Sequence, residues 1–281
     1  MRKKTSKYKK YKDSVFCMLF SDKNKLRNLY NAITNSSYSR ETPIIINTLR
    51  DFLGIGLRND ISFTIDNKTI VLKEHQSTVN PNMPVRLLFY ISAIFEKMIQ
   101  RKELYGEKEI ELPDPDFYLF YNGKGFFPDK KILLLSNSFK NSKRKLELEV
   151  TAYNVNARHN KILMEKSRDL GEYALFVEKV REKEAGLSKK ESLEEAFRLA
   201  IKECIEHNIL REFLEKHKEE VVKSLLNITR EEYIEIRLEA AQEKGSMQAR
   251  LETAQKLKNM GLSFSQISEA TGLSLEEIEK L

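Results

Sequence analysis

The fold of this chain is constrained most by a series of short strand-like segments between residues 44 and 155. These segments are rich in β-branched and aromatic residues, which favour extended strands. They comprise Ile44–Leu49, Ile61–Ile65, Thr69–Gln76, Phe117–Tyr121, Lys131–Leu135 and Leu146–Tyr153. One long helix interrupts them, with Pro84 suited to its first turn and an apolar stripe from Leu87 to Met98. This order of elements predicts an α/β sheet domain.

Helical patterns flank the sheet region. Asp13 opens a short apolar helix, Asp22 is the expected N-cap of a second helix, and the chain reads as helical from about residue 157 onwards. We therefore predict five segments. They are a basic arm (1–12), a sheet-containing core (13–156), a helical domain (157–228), a charged helical linker or dimerising arm (229–259) and a tail (260–281).

The tail resembles a helix-turn-helix, with Ser263 capping its first helix and a capping box of Ser274 and Glu277 at its second. A recognition helix normally offers Arg, Asn, Gln or Lys to base edges, whereas this one offers mainly leucine and glutamate. We therefore favour protein contact or homodimerisation over base reading for the tail.

The formal net charge of +7 is concentrated in the arm. Residues 1–12 carry seven basic residues and no acid, which leaves 42 basic and 42 acidic residues in the remaining chain. With Tyr8 and Tyr11 interleaved, the arm suits phosphate contacts and base stacking, although a solubilising tail has the same composition.

Other features of composition point to a cytoplasmic protein without membrane association. No apolar run approaches the roughly 18 residues needed to span a bilayer, and Val15–Phe20 is too short for a signal-peptide core. Cys17 and Cys204 lie far apart without zinc-binding spacing, so both are expected to be buried thiols.

The most informative segment for function is Asn59–Thr78, which predicts two strands joined by a turn at Asp66-Asn67-Lys68. With a three-residue loop, Asp60 falls opposite Glu74, and directly opposed residues have Cβ atoms about 4.5–5.5 Å apart. Gln76 shares a face with Glu74. A two-residue loop would instead shift the pairing by one residue and turn the two acids to opposite faces.

Two opposed carboxylates destabilise a sheet unless a cation neutralises them. Mg²⁺ suits such a site, since it prefers oxygen ligands and is bound through one or two carboxylates plus a substrate phosphate. Mn²⁺ or Ca²⁺ are alternatives. On spacing alone, Asp60 and Glu74 are also consistent with solvated or salt-bridged surface acids.

The same residues belong to a longer pattern, which consists of Asp13-x-x-Phe16, Asn59-Asp60, Glu74-His75-Gln76-Ser77-Thr78 and Asn82-Met83-Pro84-x-Arg86-x-x-x-Tyr90. This pattern resembles the recombination-promoting nuclease family, whose members are also labelled transposases, within the PD-(D/E)XK nuclease superfamily. The resemblance continues into Tyr121-Asn122-Gly123, Leu135-Ser136, Leu146-Glu147-Leu148 and Asn154-Val155-Asn156, and it covers most of residues 13–215.

The resemblance implies a restriction-endonuclease-like core in residues 13–156, a mixed sheet flanked by helices with the acids on central strands. Asp60 and Glu74 match the metal-binding acids of the family. Gln76 stands where the wider superfamily usually has lysine, and it can orient water or donate to phosphate but cannot supply a positive charge. Asp13 resembles an acid that the first helix lends to such sites, and an N-cap explains it equally well.

Arg86 is the expected source of the positive charge that Gln76 lacks. It lies near the start of the long helix and shares a face with Tyr90, so we predict a phosphate clamp in which both residues contact substrate. The alternative is a structural salt bridge from Arg86 with Tyr90 packed beside it.

The leading hypothesis is a Mg²⁺-dependent endonuclease that hydrolyses phosphodiesters in double-stranded DNA, associated with mobile elements or recombination. A non-catalytic DNA-binding or regulatory protein that keeps the nuclease scaffold is the alternative. A nuclease directed at RNA is a third hypothesis.

Overall fold

The computed structural model describes residues 14–47, 60–75, 80–140, 145–187, 192–274 and 278, except for the side chains of residues 60, 73–75 and 228–249. The chain divides into two compact units, residues 1–226 and residues 227–281.

A mixed six-stranded sheet organises the first unit. Its strands are β1 (Ile45–Ile46), β2 (Asp60–Ile65), β3 (Lys68–His75), β4 (Asp114–Tyr121), β5 (Lys130–Leu134) and β6 (Glu149–Asn154). Their order is β1-β2-β3-β4-β6-β5, with β3, β4 and β6 mutually parallel and the other pairings antiparallel. The predicted α/β class is confirmed, and each strand overlaps a segment that the sequence predicts to be extended.

The β2–β3 hairpin differs from the prediction in its loop. Asp66 and Asn67 form a two-residue loop, and both have positive φ, 45° and 56°. Positive φ at both central residues characterises the type I′ turn, which matches the twist of paired strands, and Asp and Asn tolerate it better than other side chains. Asp60 therefore pairs with Lys73, so the predicted pairing of Asp60 with Glu74 is wrong by one residue.

Helices surround the sheet and continue to the end of the described chain. They are α1 (Val15–Leu19), α2 (Lys23–Thr34), α3 (Met83–Met98), α4 (Lys161–Lys166), α5 (Arg168–Ala185), α6 (Leu193–Glu206), α7 (Arg211–Asn259) and α8 (Phe264–Thr271). Two 3₁₀ helices, Arg101–Tyr105 and Leu135–Ser138, lie among the connections. The predicted charged helix of residues 229–259 lies within α7.

Side-chain caps begin the first two helices. The hydroxyl of Ser14 accepts from the Cys17 amide at 3.2 Å and caps α1, so this cap is not made by Asp13, which lies outside the described residues. The Asp22 carboxylate accepts from the amides of Asn24 and Lys25 at 2.9 and 3.0 Å, which confirms the predicted cap of α2.

Both faces of the sheet are covered by apolar residues, because successive strand side chains point to opposite faces. The face that packs on α3 presents Val71, Phe117, Leu119, Val150 and Ala152. The other face packs on α1, α2, α5 and α6 and presents Ile61, Phe63, Ile65, Ile70, Leu72 and Phe120. Since helices from both halves of the first unit share this second core, the predicted boundary at residue 156 does not separate two compact units.

The second unit contains a small apolar core of its own. Ala254, Ile267, Leu273 and Ile278 are buried together, and Ser263 caps α8 as predicted, with a reciprocal bond from the side chain of Gln266. Glu277, the second half of the other predicted capping box, lies outside the described residues. None of the helices in the described chain is long and apolar enough to cross a membrane.

Candidate active site

The backbone of Asp60 and that of Glu74 lie near one edge of the sheet, where the parallel strands end. Asp60 is the first residue of β2, and it pairs through the backbone with Lys73 near the end of β3. The last residues of β3 continue alongside β4, with Glu74 beside Phe120 and His75 beside Tyr121. We call this edge, where β3, β4 and β6 end and β2 begins, the carboxyl edge.

The two-residue loop shifts Asp60 by one residue relative to Glu74, so regular alternation along the strands would turn their carboxylates to opposite faces. In the described part of the hairpin, Ser62 and Val71 face α3, whereas Ile61 and Leu72 face the opposite core. Convergence of Asp60 and Glu74 now requires this alternation to be interrupted near the strand ends, for example by a bulge. The side chains of Asp60 and Glu74, and all of Gln76, lie outside the described residues.

Tyr90 is a core residue of this edge. Its side chain is fully buried, and its hydroxyl lies 3.2 Å from the Ser62 hydroxyl across the interface between α3 and β2. It packs within the apolar core on that face of the sheet. Tyr90 therefore holds α3 against the hairpin, and this buried position does not support the predicted substrate contact.

Arg86 lies one helical turn before Tyr90 and is only partly buried. Its terminal Nη1 lies 3.8 Å from the sulfur of Met83, and its buried Nε has no hydrogen-bond partner among the described residues. No carboxylate in the described chain forms an ion pair with it. The structural salt bridge that the sequence left open is thus not found within the described residues.

A buried network of asparagines joins the ends of β4 and β6. Asn154 donates to the Phe127 carbonyl at 2.7 Å, and its side-chain oxygen accepts from the amide and the side chain of Asn156 at 3.1 and 2.9 Å. Asn156 also donates to the Gly123 carbonyl at 3.1 Å, and Asn122 donates to the Tyr173 hydroxyl at 3.1 Å. These bonds connect two motif segments of the family resemblance, Tyr121-Asn122-Gly123 and Asn154-Val155-Asn156.

Two other motif segments, Leu135-Ser136 and Leu146-Glu147-Leu148, meet where β5 ends and β6 begins, at the end of these strands opposite the carboxyl edge. The Ser136 amide donates to the Glu147 carboxylate at 2.9 Å, and the Leu135 amide donates to the Leu148 carbonyl at 2.9 Å. This contact ties the 3₁₀ helix after β5 to the start of β6. Its role in the fold is to connect the edge strand to its neighbour.

Arg181 is a cation at the carboxyl edge that sequence reasoning missed. It extends from α5, donates to the side-chain oxygen of Asn156 at 2.8 Å and also donates to the backbone carbonyl of Asn122. Both acceptors are neutral, and no ion pair joins Arg181 to an acid within the described chain. Its charge is therefore held beside the end of β4 without a carboxylate partner there.

The sequence signal for Arg181 was weak. It directly follows the apolar stripe of Tyr173, Phe176, Val177 and Val180, and exposed arginines are common beside such stripes. Its place near the candidate site follows only from its contacts with Asn122 and Asn156, which are 59 and 25 positions away in the sequence.

Among the residues whose side chains are described, no group of three or more His, Cys, Asp or Glu is placed to hold a metal ion. The predicted ligands Asp60, Glu74 and Asp13 lie outside that set. Comparison of the chain with protein-family models, with curated proteins and with solved structures finds no match.

Proposed function

We propose that this protein is a Mg²⁺-dependent endonuclease that hydrolyses phosphodiester bonds in double-stranded DNA, acting in recombination or on mobile elements. The proposed active site is the carboxyl edge, with Asp60 and Glu74 as metal ligands and Gln76 beside them. Asp13 is a further proposed ligand, and Mn²⁺ or Ca²⁺ are alternative ions. The proposed core is restriction-endonuclease-like.

One observation carries this proposal. The backbone of Asp60 and of Glu74 belongs to neighbouring interior strands of a mixed sheet, and both residues lie within two positions of the same strand edge. Acids at the ends of interior strands, next to a polar network and a cation without an acidic partner, fit catalysis better than a surface salt bridge.

The proposed donors suit the ion chemically, because Mg²⁺ favours carboxylate and other oxygen ligands. When bound there, Mg²⁺ would lower the pKa of an attacking water and offset negative charge on the phosphate. Asp60 and Glu74 would hold the ion through their carboxylate oxygens, while the Gln76 amide orients the water or donates to a phosphate oxygen. The water oxygen bonds to phosphorus as one P–O ester bond breaks, and the departing alkoxide takes up a proton to become an alcohol.

The positive charge that a lysine would supply at position 76 must come from other residues. Arg86 and Arg181 are candidates, since each extends from a helix packed on the sheet and neither forms an ion pair with an acid in the described chain. We propose that they neutralise the substrate phosphate from the α3 side and the α5 side of the sheet, respectively.

The proposal is tested by incubating purified protein with supercoiled plasmid and Mg²⁺. We expect nicking by the wild type, and we expect Asp60→Asn and Glu74→Gln each to reduce nicking below detection. Asp114→Asn and Glu149→Gln are matched controls, because these exposed acids begin β4 and β6 at the opposite edge of the sheet. Absence of nicking by the wild type, or an Asp60→Asn variant as active as the wild type, would overturn the assignment.

The pairing of Asp60 with Lys73 favours a second candidate, a non-catalytic DNA-binding or regulatory protein that keeps the scaffold. If the strands alternate regularly to their ends, two acids in this register do not form a single metal site. Such a protein would retain plasmid in a mobility-shift assay in Mg²⁺ without nicking it. If RNA is added to the plasmid reaction and is degraded in preference to the plasmid, the RNA-directed nuclease is favoured instead.

A further inference from the structure

Two loops leave the carboxyl edge side by side. Residues 122–129 connect β4 to β5, which begins with Lys130 and Lys131, and residues 155–160 connect β6 to α4, which begins at Lys161. Asn156 donates to the Gly123 carbonyl at 3.1 Å, and Asn160 donates to the Asp129 carbonyl at 2.6 Å. These bonds join the two loops into one surface. We call this surface, together with the first residues of β5 and α4, the carboxyl-edge rim (residues 122–131 and 155–161).

The carboxyl-edge rim is strongly basic. It contains five basic residues, Lys124, Lys130, Lys131, Arg158 and Lys161, and a single acid, Asp129. Lys124 is partly offset by Glu184 of α5 at 3.6 Å, and Asp129 contacts His159 at 2.6 Å. Because the chain beyond the N-terminal arm has equal numbers of bases and acids, this rim is a local positive region in an otherwise neutral or acidic body.

Phe126 is almost wholly exposed at the centre of the first loop, with 98% of its surface accessible. A single exposed apolar side chain is ordinary by itself. The backbone on each side of this one, however, is anchored. The Tyr121 hydroxyl donates to the Gly125 carbonyl at 2.8 Å, and Asn154 donates to the Phe127 carbonyl at 2.7 Å.

Further packing restrains the same loop. The ring of Phe127 is buried against that of Tyr121, with centroids 4.6 Å apart. Tyr121 also crosses Gly123 so closely that a Cβ there would lie 2.6 Å from the tyrosine ring. The loop therefore holds Phe126 outward while Phe127 turns inward, so little conformational freedom is lost when the Phe126 ring meets a ligand.

We propose that the carboxyl-edge rim binds DNA, with the basic side chains contacting phosphates and Phe126 contacting bases by stacking or by insertion at a base step. Positive loops with an outward aromatic side chain combine the two contacts that nucleic acids offer, a charged backbone and flat apolar bases. The choice of DNA as the ligand rests on the proposed function, but binding at the rim does not require cleavage.

The chain contains no tryptophan, so Phe126→Trp creates a single fluorescent reporter at the proposed contact. The titration uses a short duplex DNA oligonucleotide in EDTA, which prevents metal-dependent cleavage. We expect the emission of this variant to be quenched in a saturable way. Tyr105→Trp is the matched control, because Tyr105 is 90% exposed in the 3₁₀ helix that precedes β4, away from the carboxyl edge, and its emission should not change.

A second variant measures how much the Phe126 ring contributes to DNA binding. Phe126→Ala should weaken DNA binding roughly fivefold or more, as expected for the loss of one base contact, with an unchanged urea midpoint because the ring is exposed. No fluorescence response at position 126, or an equal response at position 105, would overturn the rim as the contact. A stronger response to RNA of the same sequence would overturn the choice of DNA. Quenching at position 126 in a protein that never nicks plasmid would retain the rim and reject only the nuclease.

Discussion

Arg86 and Arg181 show how the surroundings of a side chain decide its role. Both are arginines on helices that pack against the sheet, and the sequence singled out only Arg86 because of its position in a motif. The structure adds that Arg181 reaches the backbone at the end of β4, where its guanidinium bonds two neutral oxygens. A charge held this way keeps most of its capacity to attract a phosphate, since no acid in the described chain neutralises it.

We expect Arg181→Ala to reduce plasmid nicking roughly 10- to 100-fold, the range for losing one charge-assisted hydrogen bond to a phosphate. Arg181→Lys should recover part of this loss, because the charge is kept while the paired geometry of the guanidinium is lost. Initial nicking rates at several DNA concentrations measure the effect.

The matched control for Arg181 is Arg168→Ala on the same helix, where Arg168 is exposed and pairs with Glu172. Its nicking rate should stay near that of the wild type. Equal losses in the Arg168 and Arg181 variants would contradict a specific role for Arg181.

At the scale of elements, the helices α5 and α6 are joined by charges as well as by apolar packing. Glu203 of α6 lies 3.0 Å from Lys179 and 2.5 Å from Lys183, both on α5. Hydrogen bonds from Lys183 and Lys179 lower the pKa of Glu203 to about 2 from an ordinary value of 4.5. Beside it, burial and then the charge of Glu203 raise the pKa of the Cys204 thiol to about 11. Cys204 is fully buried, which confirms the buried thiol that the sequence predicts there. Cys17, in contrast, is only partly buried.

This lowered pKa predicts a pH dependence of stability with a definite sign. A carboxyl whose pKa is depressed by folding stabilises the native state above its unfolded pKa, and the contribution disappears as the pH falls through the folded pKa. We therefore expect Glu203→Gln to lower the melting temperature at neutral pH, and the difference from the wild type to shrink between about pH 4.5 and pH 2.

Thermal unfolding followed by circular dichroism across this pH range measures the effect. Glu206→Gln is the control on the same helix, because Glu206 is exposed and lies 3.8 Å from Lys202, so its substitution should change stability little at any pH. If the melting temperatures of the wild type and of Glu203→Gln differ by the same amount from neutral pH to pH 2, ionisation of Glu203 does not stabilise the fold.

At the scale of the whole molecule, the apolar cores divide between the two compact units. The two cores on either side of the sheet contain only residues from the first unit, and the third core contains only residues beyond 250. The proposed active site and the carboxyl-edge rim both lie in the first unit. For the second unit, the role expected from the sequence is protein contact or homodimerisation.

We expect a fragment of residues 1–226 to unfold in urea as a single cooperative transition, because it keeps both sheet cores complete. It should nick plasmid at a rate similar to that of the full chain. If residues 227–281 mediate homodimerisation, sedimentation should show the fragment as a monomer and the full chain as a dimer. A fragment that lacks a cooperative transition would contradict the independence of the first unit.

Local sequence patterns correctly predict the strands, the long helix α3, the caps at Asp22 and Ser263 and the predominance of helix after residue 157. These features follow from local causes, namely hydrophobic periodicity, β-branched composition and side chains that satisfy the first amides of a helix. Each of these causes acts between residues that are close together in the sequence, so these features can be predicted without knowing the tertiary contacts.

The register of the hairpin and the surroundings of the candidate site become visible in the folded chain and not in the sequence. The sequence allows a loop of two or three residues after Ile65, and one residue of slip changes the face of every side chain. The structure has the two-residue loop, with Asp60 paired with Lys73. Similarly, Arg181, Asn122 and Asn156 meet only because β4, β6 and α5 pack together, over separations that no local pattern encodes. The motif residues are thus a property of the sequence, whereas the contacts that join Asn122, Asn156 and Arg181 are a property of the packed sheet.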